Sequence, residues 1–518
     1  MTSGIHHLTL ITHKVQANVD FYAGFLGLRI VKQTGGFEDA QQLHIFYGDR
    51  TGTPGSLVTF LVWEDGAKGR VGHGQVSEIA FAVDRTSIGF WLERALRHQI
   101  ASEGPVQEFG EPVLRLRDPD GVIVKLVGCD LDANDLWQPA DIPAEHAVRR
   151  LRAATLLSET PEQTADFIGR YFGFTPKARE GAINRLLSQA GDAVDVRDAT
   201  GFWPGIPGTG TFDHVAFRAS DNEAVMAAEK AFSALNSSET NLHDRKYFTS
   251  LYVREPGGIL FELATDAPGF TIDEPVEALG RTLFVPPGNE DEEAAIRLRL
   301  PQFALPGEER VIYRDLPFVH RMYQPENPDG STLVLLHGSG GNESDLMPLA
   351  GMVAPRATLL GLRGRSTEEG IQRWFRRFSM NDFDQADIAF EADALEAFIE
   401  GAIVAYGLDP ERMVFLGYSN GANLLAAFLR LHPHIVRKAI LLRGIEVLEN
   451  PPEADLSDAS VLLLSGANDL FGGLSAPLES SLRQGGADLD ARRLPAGHLI
   501  GDEDMRAARD WVQEKLPK

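Results

Sequence analysis

Apolar and polar residues follow two different patterns along this chain. Up to about residue 265, short alternating or apolar runs predict β-strands, and the amphipathic stretches between them predict helices. A unit of one strand, one helix and further strands occurs four times, and its last strand usually follows a Pro-Gly type turn. The copies cover about residues 1–65, 70–130, 147–200 and 208–266. Beyond about residue 308, single strands alternate with helices, which predicts a parallel sheet covered on both faces.

The four copies resemble one another in sequence. NVDFYAGFLGL (18–28) aligns with TADFIGRYFGF (164–174) without a gap, and DPDGVIVKLV (118–127) aligns with EPGGILFELA (255–264). The strands that precede the second pair, VSEIAFAV and FDHVAFRA, also align. Self-similarity of this kind indicates duplicated structural units, so equivalent positions can be compared within the one chain.

Glu262 is unusual within its copy. It lies in an apolar strand directly after a Pro-Gly-Gly turn, where burying a carboxylate is costly unless the charge is compensated. Alternation along the strand would otherwise point Glu262 to water, with no functional role. The alignment puts His7, Ser77, Ala153 and His214 at one position of the first strands, and Phe60, Lys125 and Glu262 at one position of the last strands. Only the first and fourth copies have metal-ligand residue types there.

His7, His214 and Glu262 therefore form a candidate metal site. Inward-facing residues on matching strands of two paired copies converge, which brings these three side chains to a common point. Two imidazoles and one carboxylate with open positions form the facial triad of non-haem iron(II) oxygenases. A divalent cation would neutralise Glu262 and account for its apolar surroundings. Fe(II) is the expected cofactor, and Mn(II) suits the same ligands.

Residues 1 to about 300 resemble the vicinal oxygen chelate superfamily of glyoxalase and bleomycin-resistance proteins. The segments GIHHLTLIT (4–12) and DRKYFTSLYVREPGGILFELATD (244–266) are most similar to its ring-cleaving dioxygenases of the hydroquinone-cleaving type. The resemblance implies four βαβββ modules arranged as two paired-module domains. It also implies an iron-dependent enzyme that acts on hydroquinone- or catechol-like diols with dioxygen.

The same resemblance suggests roles for residues near the metal ligands. It implies that Arg245 and Tyr252 steady a ring oxygen and assist proton transfer, and that His6 and Thr9 lie beside the ligands. Asp213 stands where relatives place a second histidine, so the sequence departs from the family there. By residue type alone, Arg245 also fits a surface ion pair and Tyr252 a packed strand aromatic.

Two other functions are compatible with the first half of the chain. A glyoxalase-type isomerase usually needs a second carboxylate, and the alignment offers Phe60 at that position. A metal-free module that binds quinone-like ligands would purify without iron or manganese. The remaining histidines of this half have no matched partner in the repeat and are expected to be structural or exposed; they are His13, His44, His73, His98, His146 and His243.

The acidic, proline-rich passage FVPPGNEDEEAAIRLRLPQFALPGEER predicts a tail helix and a connector. We therefore expect a first domain over residues 1–307 and a second over residues 308–518. In the second domain, four segments predict strands of a doubly wound α/β fold. They are STLVLLHG, ATLLGLRG, MVFLGYSN and VLLLSGAND. The modules of the first domain are of the α+β class instead.

The second domain contains a candidate catalytic triad. In MVFLGYSNGANLLAAFL, the G-x-S-x-G motif around Ser419 lies between a strand and a helix, and its glycines permit the sharp turn that exposes a nucleophile. Asp469 ends a later strand and His498 lies in the following loop, in the chain order of α/β-hydrolases. Ser419 would attack a carbonyl, His498 would accept its proton, and Asp469 would orient the imidazole.

Other residues of this domain are candidates for supporting roles. Backbone N–H groups of Ser339 and Asn420 are expected to hold the oxyanion, whereas His337 is expected to support its loop. Arg373 and Trp374, in RWFRRF, are candidate substrate contacts. Residues 310–518 resemble the carboxylesterase and lysophospholipase-like branch of the α/β-hydrolases, which implies a serine hydrolase without a cofactor.

Composition limits the partners. Among 518 residues, 74 acidic against 49 basic side chains give a formal net charge of −25, which disfavours nucleic acid and anionic membranes as partners. The N-terminal segment predicts a strand and not a signal peptide, and the single cysteine suits a reducing compartment, so we expect a cytoplasmic protein. Paired-module proteins often form homodimers.

Fusion of the two domains suggests consecutive reactions. Ring opening yields electrophilic aldehydes, acids or activated acyl products, and a hydrolase on the same chain raises the local concentration of the next catalyst. The sequence predicts a bifunctional enzyme for hydroquinone- or catechol-like compounds. Two independent activities on one chain are the alternative.

Overall fold

The computed structural model describes residues 4–37, 39–234 and 241–516. The chain divides into two compact units, Met1–Asp291 with Phe303–Glu309, and Glu292–Gln302 with Arg310–Lys518. The tail helix expected in the first domain, Glu293–Arg299, thus belongs to the second unit. The reason is apolar packing, because Ile296 is buried and Leu298 lies against Gly351 of the second unit.

The first unit repeats the order of one strand, one helix and three strands. Its α-helices are α1 (Val15–Val19), continued by a π-helical stretch at Asp20–Phe25, α2 (Ile88–Arg97), α3 (Pro161–Phe172) and α4 (Asn222–Ser233). Its strands are β1 (Ile5–Thr12), β2 (Arg29–Gly35), β3 (Leu43–Gly48), β4 (Leu57–Val62), β5 (Gln75–Val83), β6 (Ser102–Glu108), β7 (Glu111–Arg117), β8 (Ile123–Gly128), β9 (Arg150–Ser158), β10 (Thr175–Glu180), β11 (Ile183–Leu187), β12 (Ala193–Asp198), β13 (Phe212–Ala219), β14 (Asn241–Asp244), β15 (Thr249–Arg254), β16 (Leu260–Thr265) and β17 (Leu283–Phe284).

These strands form two sheets that each combine two copies of the repeat. One sheet has the order β14-β15-β16-β13-β1-β4-β3-β2-β17, and the other has the order β10-β11-β12-β9-β5-β8-β7-β6. The first and fourth copies meet where β1 pairs antiparallel with β13, and the second and third meet where β5 pairs antiparallel with β9. Each copy keeps its first and last strands parallel and adjacent.

The turns before β8 and β16 have the same hydrogen bonds, as their sequence similarity suggests. Asp118 and Glu255 open these turns, and each carboxylate accepts the backbone N–H of the residue four positions later, at 2.8 and 3.1 Å. Gly121 and Gly258 each adopt a φ of +92°, a conformation that side chains rarely allow. The turn geometry thus fixes where each last strand begins.

The strand register corrects the expected equivalence of Phe60 and Glu262. Thr9 of β1 pairs with Thr59, and Ala216 of β13 pairs with Glu262, each two residues after a candidate histidine ligand. Thr59 therefore occupies the position equivalent to Glu262, because the turn before β4 is one residue shorter than the turns before β8 and β16. Phe60 points to the opposite, apolar face of the strand, where it is buried.

A second one-residue correction applies to Ser77. Glu78 pairs with Thr155 of β9 in the same way that His214 pairs with Thr9 of β1. Glu78, and not Ser77, is therefore the equivalent of His214. Both strands have a β-bulge at this point, which skips Ser77 in β5 and Asp213 in β13, so Ser77 is the equivalent of Asp213.

The second unit is built on a mostly parallel sheet of order β18-β20-β19-β25-β26-β27-β28, in which only the β18–β20 pairing is antiparallel. Its helices are α5 (Glu293–Arg299), α6 (Met347–Val353), α7 (Gln385–Tyr406), α8 (Asn420–Leu431), α9 (Ser475–Gln484) and α10 (Asp502–Lys515). Its strands are β18 (His320–Tyr323), β19 (Thr332–Leu336), β20 (Thr358–Leu362), β21 (Ser366–Glu368), β22 (Ile371–Arg373), β23 (Arg377–Ser379), β24 (Asp382–Phe383), β25 (Met413–Tyr418), β26 (Lys438–Leu442), β27 (Ser460–Gly466) and β28 (Asp488–Leu494).

Alternate residues of the central strands enter two separate apolar clusters. Val334 and Leu336 of β19 pack with residues of α7 and α8, whereas Leu333 and Leu335 pack with residues of α6 and α10. Such strands are apolar on both faces, which explains their continuous hydrophobic sequence. In the described part of the chain, none of the helices has both the length and the apolarity needed to cross a membrane.

Candidate functional site

Three neighbouring strands of the first unit bring His7, His214 and Glu262 together. His7 Nε2 lies 3.3 Å from His214 Nε2 and 3.4 Å from Glu262 Oε2, and the last two atoms are 2.7 Å apart. All three side chains are buried. Ligand atoms about 2.1 Å from one ion, at adjacent coordination positions, lie about 3 Å apart. The spacing therefore suits a single divalent cation.

The tautomer of His7 is fixed through His6. His6 Nε2 lies 3.2 Å from the carbonyl oxygen of Thr265, which can only accept, so this nitrogen carries the proton. His6 Nδ1 then accepts a hydrogen bond from His7 Nδ1 at 2.9 Å. Burial lowers the pKa of His6 to about 3 and keeps it neutral. The lone pair of His7 Nε2 is thereby directed at the three-residue cluster.

The other two candidate ligands are held in a similar way. Asp213 Oδ2 lies 2.6 Å from His214 Nδ1 and accepts its proton, which turns Nε2 of that ring towards the cluster. Ser250 Oγ donates to Glu262 Oε1 at 2.5 Å. Glu262 Oε2 is fully buried and faces Nε2 of both His7 and His214. Each of the three side chains thus turns one potential ligand atom towards a common point.

Opposite charges stabilise one another at the cluster. Burial opposes a charge on Glu262, but the imidazoles of His7 and His214 outweigh it and hold the pKa of Glu262 well below its usual value. Burial likewise opposes a proton on His214, but the carboxylates of Glu262 and Asp213 raise its pKa to about 9. Without an ion, the positive charge beside Glu262 is thus the proton on His214, and a divalent ion bound at this point would take its place.

Tyr252 and Arg245 lie beside the cluster. Tyr252 pairs with Glu262 across β15 and β16, and its ring lies against that of His214 with 5.4 Å between centroids. The Arg245 guanidinium is 5.7 Å from the centroid of Tyr252. Burial and the Glu262 carboxylate raise the pKa of Tyr252 well above its usual value, so its hydroxyl keeps its proton.

A chain of polar side chains leads from the cluster to His44. Thr9 Oγ1 is 3.0 Å from His214 Nε2 and 2.9 Å from Thr59 Oγ1, and Thr59 Oγ1 is 2.9 Å from His44 Nε2. Burial, with the imidazoles of His7 and His214 nearby, lowers the pKa of His44 to about 3. Sequence analysis missed Thr59 and His44. The sequence could have indicated them, because His44 and Thr59 lie on predicted strands of the same copy of the repeat as Thr9.

The other histidines without a repeat partner lie elsewhere or at the margin. His243 has its ring 5.8 Å from that of Tyr252, His146 stacks on Phe90, and His73 lies 3.6 Å from the Glu159 carboxylate. His13 and His98 are not members of the three-residue cluster.

In the second sheet, an ammonium group occupies the place equivalent to the cation. Lys125 pairs with Ala80 as Glu262 pairs with Ala216, and its Nζ lies 2.5 Å from Glu78 and 2.9 Å from Glu108. Lys125 is 3% exposed. The duplicated position is therefore neutralised internally, which leaves no ligand set there for an ion.

In the second unit, Ser419, His498 and Asp469 form a hydrogen-bonded row. Ser419 Oγ is 3.0 Å from His498 Nε2, and His498 Nδ1 is 2.9 Å from Asp469 Oδ2. Asp469 Oδ1 accepts the backbone N–H of Phe471 at 3.0 Å, so both carboxylate oxygens have partners. This is the geometry of a nucleophile, a general base and an orienting acid.

The backbone at Ser419 is strained, with φ +51° and ψ −113° between β25 and α8. A Cβ at Gly421 would lie 2.2 Å from the carbonyl oxygen of Leu336, and one at Gly417 would lie 2.7 Å from Ala422. Only glycine therefore fits at both flanks. Their tight packing holds the serine at the end of the strand.

Ser339 and Asn420 line the cavity at Ser419, where their backbone N–H groups were expected. Trp374 does not line it, which corrects its expected role as a substrate contact. Its side chain is fully buried and donates to the His337 carbonyl, and its backbone N–H donates to Asn420 Oδ1. Trp374 thus connects the end of β19 with the start of α8 beside the nucleophile candidate Ser419.

His337 and Arg443 support the loops around the catalytic row. His337 Nε2 accepts the backbone N–H of Gly364 at 3.0 Å, and burial lowers its pKa, so it is a neutral structural group. Arg443 donates to the carbonyls of Gly497 and Leu499, which flank His498. It also forms a buried bidentate ion pair with Asp504 at 2.7 and 2.8 Å. Sequence analysis missed Arg443, whose role depends on tertiary contacts.

The wall of the cavity is aromatic and basic. Besides the catalytic residues it includes Phe375, Phe383, Phe471, Arg373, Arg377 and Arg443. Arg373 is 4% exposed. Of the two candidate contacts in the motif RWFRRF, Arg373 therefore lies at the site, whereas its neighbour Trp374 does not.

Comparison with known proteins supports a division of the chain into two functional parts. Residues 4–126 match the family model "Glyoxalase/Bleomycin resistance protein/Dioxygenase superfamily". "Putative ring-cleaving dioxygenase MhqO" of Bacillus subtilis is 36% identical over 313 residues, which are 60% of this chain and 98% of that protein. "Chlorohydroquinone/hydroquinone 1,2-dioxygenase" of Sphingobium indicum is 33% identical over 306 residues, 56% of this chain and 94% of that protein. "Putative hydrolase MhqD" of Bacillus subtilis is 34% identical over 194 residues, 36% of this chain and 94% of that protein.

Proposed function

The chain belongs to the glyoxalase/bleomycin resistance protein/dioxygenase superfamily, and we propose that it is a bifunctional enzyme that opens an aromatic diol ring and then hydrolyses a product. The first unit would be an Fe(II)-dependent dioxygenase for hydroquinone- or catechol-like compounds. The second would be a Ser-His-Asp hydrolase. Hydroquinones are preferred because one relative carries that substrate in its name.

The observation that carries this proposal is the convergence of three buried side chains with metal-ligand atoms in the first unit. His7, His214 and Glu262 would hold the metal, and two imidazoles with one carboxylate are the ligand set of non-haem iron oxygenases. A bound Fe(II) supplies open positions for a diol and dioxygen; Mn(II) fits the same ligands. Thr59 in place of a second carboxylate argues against glyoxalase-type isomerisation.

The chain's own residues would orient the ligands and manage protons. His6 and Asp213 bind Nδ1 of His7 and His214, which turns Nε2 of both rings towards the proposed ion. Ser250 restrains the carboxylate of Glu262. Arg245 would steady a ring oxygen, and Tyr252, which keeps its phenol proton, would donate to a developing oxyanion. Thr9 lies within hydrogen-bond distance of a ligand atom and would contact the bound diol.

In the second unit, His498 would take the proton of Ser419 as the serine attacks a carbonyl carbon. Asp469 would keep the imidazole in the required tautomer, and backbone N–H groups of Ser339 and Asn420 would hold the oxyanion. His498 would then return the proton to the leaving group. The doubly wound α/β-hydrolase arrangement fits these positions, with the nucleophile at the carboxyl end of β25.

Four βαβββ modules account for the first unit, of which the outer two would hold the metal. The middle two would serve as a scaffold, because Lys125 already neutralises their equivalent position. Joining the oxygenase to a hydrolase gives a reactive ring-opened product a nearby catalyst. The partners are a small aromatic diol and dioxygen.

An oxygen-electrode assay of the whole protein tests this function. Protein loaded anaerobically with Fe(II) is expected to consume dioxygen with hydroquinones, and mass spectrometry is expected to detect ring-opened products containing both oxygen atoms. Ser419→Ala is expected to leave oxygen uptake unchanged and to let a ring-cleavage product accumulate. Oxygen uptake without ring opening would contradict the oxygenase assignment, and identical products from both proteins would contradict the sequential reaction.

A further inference from the structure

Two arginines line the cavity at Ser419, and a single carboxylate, that of Glu368, lies next to both of them. Arg373 is buried, its Nε has no hydrogen-bond partner among the described residues, and its closest carboxylate is Glu368 at 3.5 Å. Arg377 lines the same cavity, and among the described residues its guanidinium has no ion-pair partner. A buried guanidinium that lacks a full set of acceptors is costly, so a ligand that supplies them is favoured.

The third arginine of the cavity differs in this respect. Arg443 is fully compensated by Asp504 and by two backbone carbonyls, so it contributes little net charge. Glu368 is a single carboxylate next to both Arg373 and Arg377, and its second contact is only with the backbone N–H of Arg377. Among the described residues, none of the side chains that line the cavity is acidic. The cavity is therefore cationic within a chain of net charge −25.

We propose that Arg373 and Arg377 form a carboxylate-binding subsite, which selects acyl substrates with a free carboxylate at the end of a short carbon chain. A planar guanidinium matches a carboxylate with two parallel hydrogen bonds. The developing oxyanion has its own donors at Ser339 and Asn420, so the arginines are available for a second anionic group of the same substrate. Phe375, Phe383 and Phe471 would enclose the carbon chain between them.

This inference rests on the proposed serine hydrolase and makes its substrate class specific. Oxidative opening of an aromatic diol places oxygen functions at both ends of a chain of carbon atoms, so an acid produced at one end would be ionised at neutral pH. The other end would then carry an ester or another activated acyl group, and Ser419 would attack the carbonyl carbon of that group. The substrate class would be the monoesters, or similarly activated derivatives, of dicarboxylic acids.

Two esters of equal chain length test the subsite in the full-length protein. Mono-4-nitrophenyl glutarate carries a terminal carboxylate, whereas 4-nitrophenyl valerate has a methyl group there. Arg377→Met is expected to lower kcat/KM for the glutarate ester about tenfold or more, mainly through KM, and to change the valerate ester less than about twofold. Free glutarate is expected to inhibit valerate hydrolysis competitively in the wild type, and this inhibition is expected to weaken in the variant.

Arg376→Met is the matched control. Arg376 belongs to the same segment but pairs with Asp384 and does not line the cavity, so its loss is expected to leave the ratio of the two esters unchanged. Arg373→Lys tests the buried partner while it keeps the positive charge, and circular dichroism checks that it is folded. It is expected to reduce the preference for the glutarate ester because it removes bidentate binding.

The results separate this inference from the proposed function. If Arg377→Met lowers kcat/KM equally for both esters, or leaves the ratio of the two values unchanged, the carboxylate subsite is overturned. The serine hydrolase stands in that case if Ser419 still reacts with a fluorophosphonate probe. Failure of the wild type to hydrolyse either ester or to react with the probe would overturn the serine hydrolase and the subsite together.

Discussion

At the candidate metal site, the two histidines are oriented by groups that would not touch the proposed ion. The carbonyl of Thr265 determines the tautomer of His6, and His6 in turn determines that of His7. A single backbone acceptor therefore controls a ligand lone pair two side chains away. Such a relay is visible only in the folded structure, although the sequence places His6 next to His7.

The polar chain to His44 predicts a role for Thr59. Thr59→Val removes the hydroxyl that connects Thr9 with His44 and leaves the three ligands untouched. We expect unchanged iron content and a fall in the rate of oxygen uptake of about tenfold or more, because the connection between the site and His44 is broken. An oxygen electrode at saturating hydroquinone, together with metal analysis, measures both.

Thr155→Val is the control for that variant, because Thr155 takes the position of Thr9 in the second sheet, which has no ligand set. It is expected to keep the wild-type rate. An unchanged rate in Thr59→Val, or a loss of its iron, would show that Thr59 does not act through His44.

Sequence comparison within the chain identified His7, His214 and Glu262 because duplication provides three further copies of the same positions. It misassigned two neighbours by one residue, Phe60 for Thr59 and Ser77 for Glu78. A shortened turn caused the first error. The second arose because the segment between the first and last strands is one residue shorter in the second copy than in the fourth, although VSEIAFAV and FDHVAFRA aligned end to end place Glu78 opposite His214. A displacement by one residue reverses which side chains face the interior.

At the scale of elements, the repeated turns join neighbouring copies in the same way. The turn before β8 receives a hydrogen bond from the hydroxyl of Tyr22, and the turn before β16 receives one from that of Thr164. Both donors lie on the helical segment of the preceding copy. Helix position and last-strand register are therefore coupled, and long-range contacts of this kind are not encoded in local periodicity.

The turn before β8 predicts a pH-dependent stability. Burial raises the pKa of Asp118 to about 7, above its value near 4 in an unfolded chain. The folded protein thus holds this proton more tightly, and the resulting stabilisation, complete below pH 4, is lost as the pH rises through 7. We expect Asp118 to lower the free energy of unfolding of the first unit by about 2–3 kcal/mol between pH 5 and pH 8.

Urea denaturation of Asp118→Asn across this range provides the test. The amide keeps an acceptor for the backbone N–H of Val122 but does not ionise, so the variant is expected to lose that part of the pH dependence. Asp130→Asn, at a highly exposed carboxylate, is expected to keep the wild-type slope. Equal slopes in all three proteins would exclude Asp118 as the source.

At the scale of the whole molecule, the sequence indicated two parts because the hydrophobic pattern changes along the chain. It did not reveal that α5 belongs to the second unit. A short amphipathic helix in a charged connector has no local signal for its packing partner, which the burial of Ile296 and the contact of Leu298 with Gly351 determine. Strands β26 and β28 were also not among the predicted segments, because neither carries a sequence motif.

The placement of α5 predicts the limits of a stable hydrolase fragment. A fragment of residues 292–518 keeps the buried Ile296 and the packed Leu298, which a fragment of residues 308–518 lacks. The burial of Ile296 and the partial burial of Leu298 predict a melting temperature higher by about 5 °C or more in the longer fragment. Differential scanning calorimetry measures it, and a fragment starting at residue 310 should match the shorter one. Equal melting temperatures of all three would contradict the role given to α5.

The most direct measurement of the central claim is oxygen uptake per bound iron in wild-type protein and in Glu262→Gln, both loaded anaerobically with Fe(II). The account predicts about one iron per chain and hydroquinone-dependent oxygen uptake in the wild type. In the variant it predicts loss of both, with Ser419 still reactive towards esters. An iron-loaded wild type that consumes no oxygen with any diol, or a variant that binds iron and consumes oxygen as the wild type does, would contradict it.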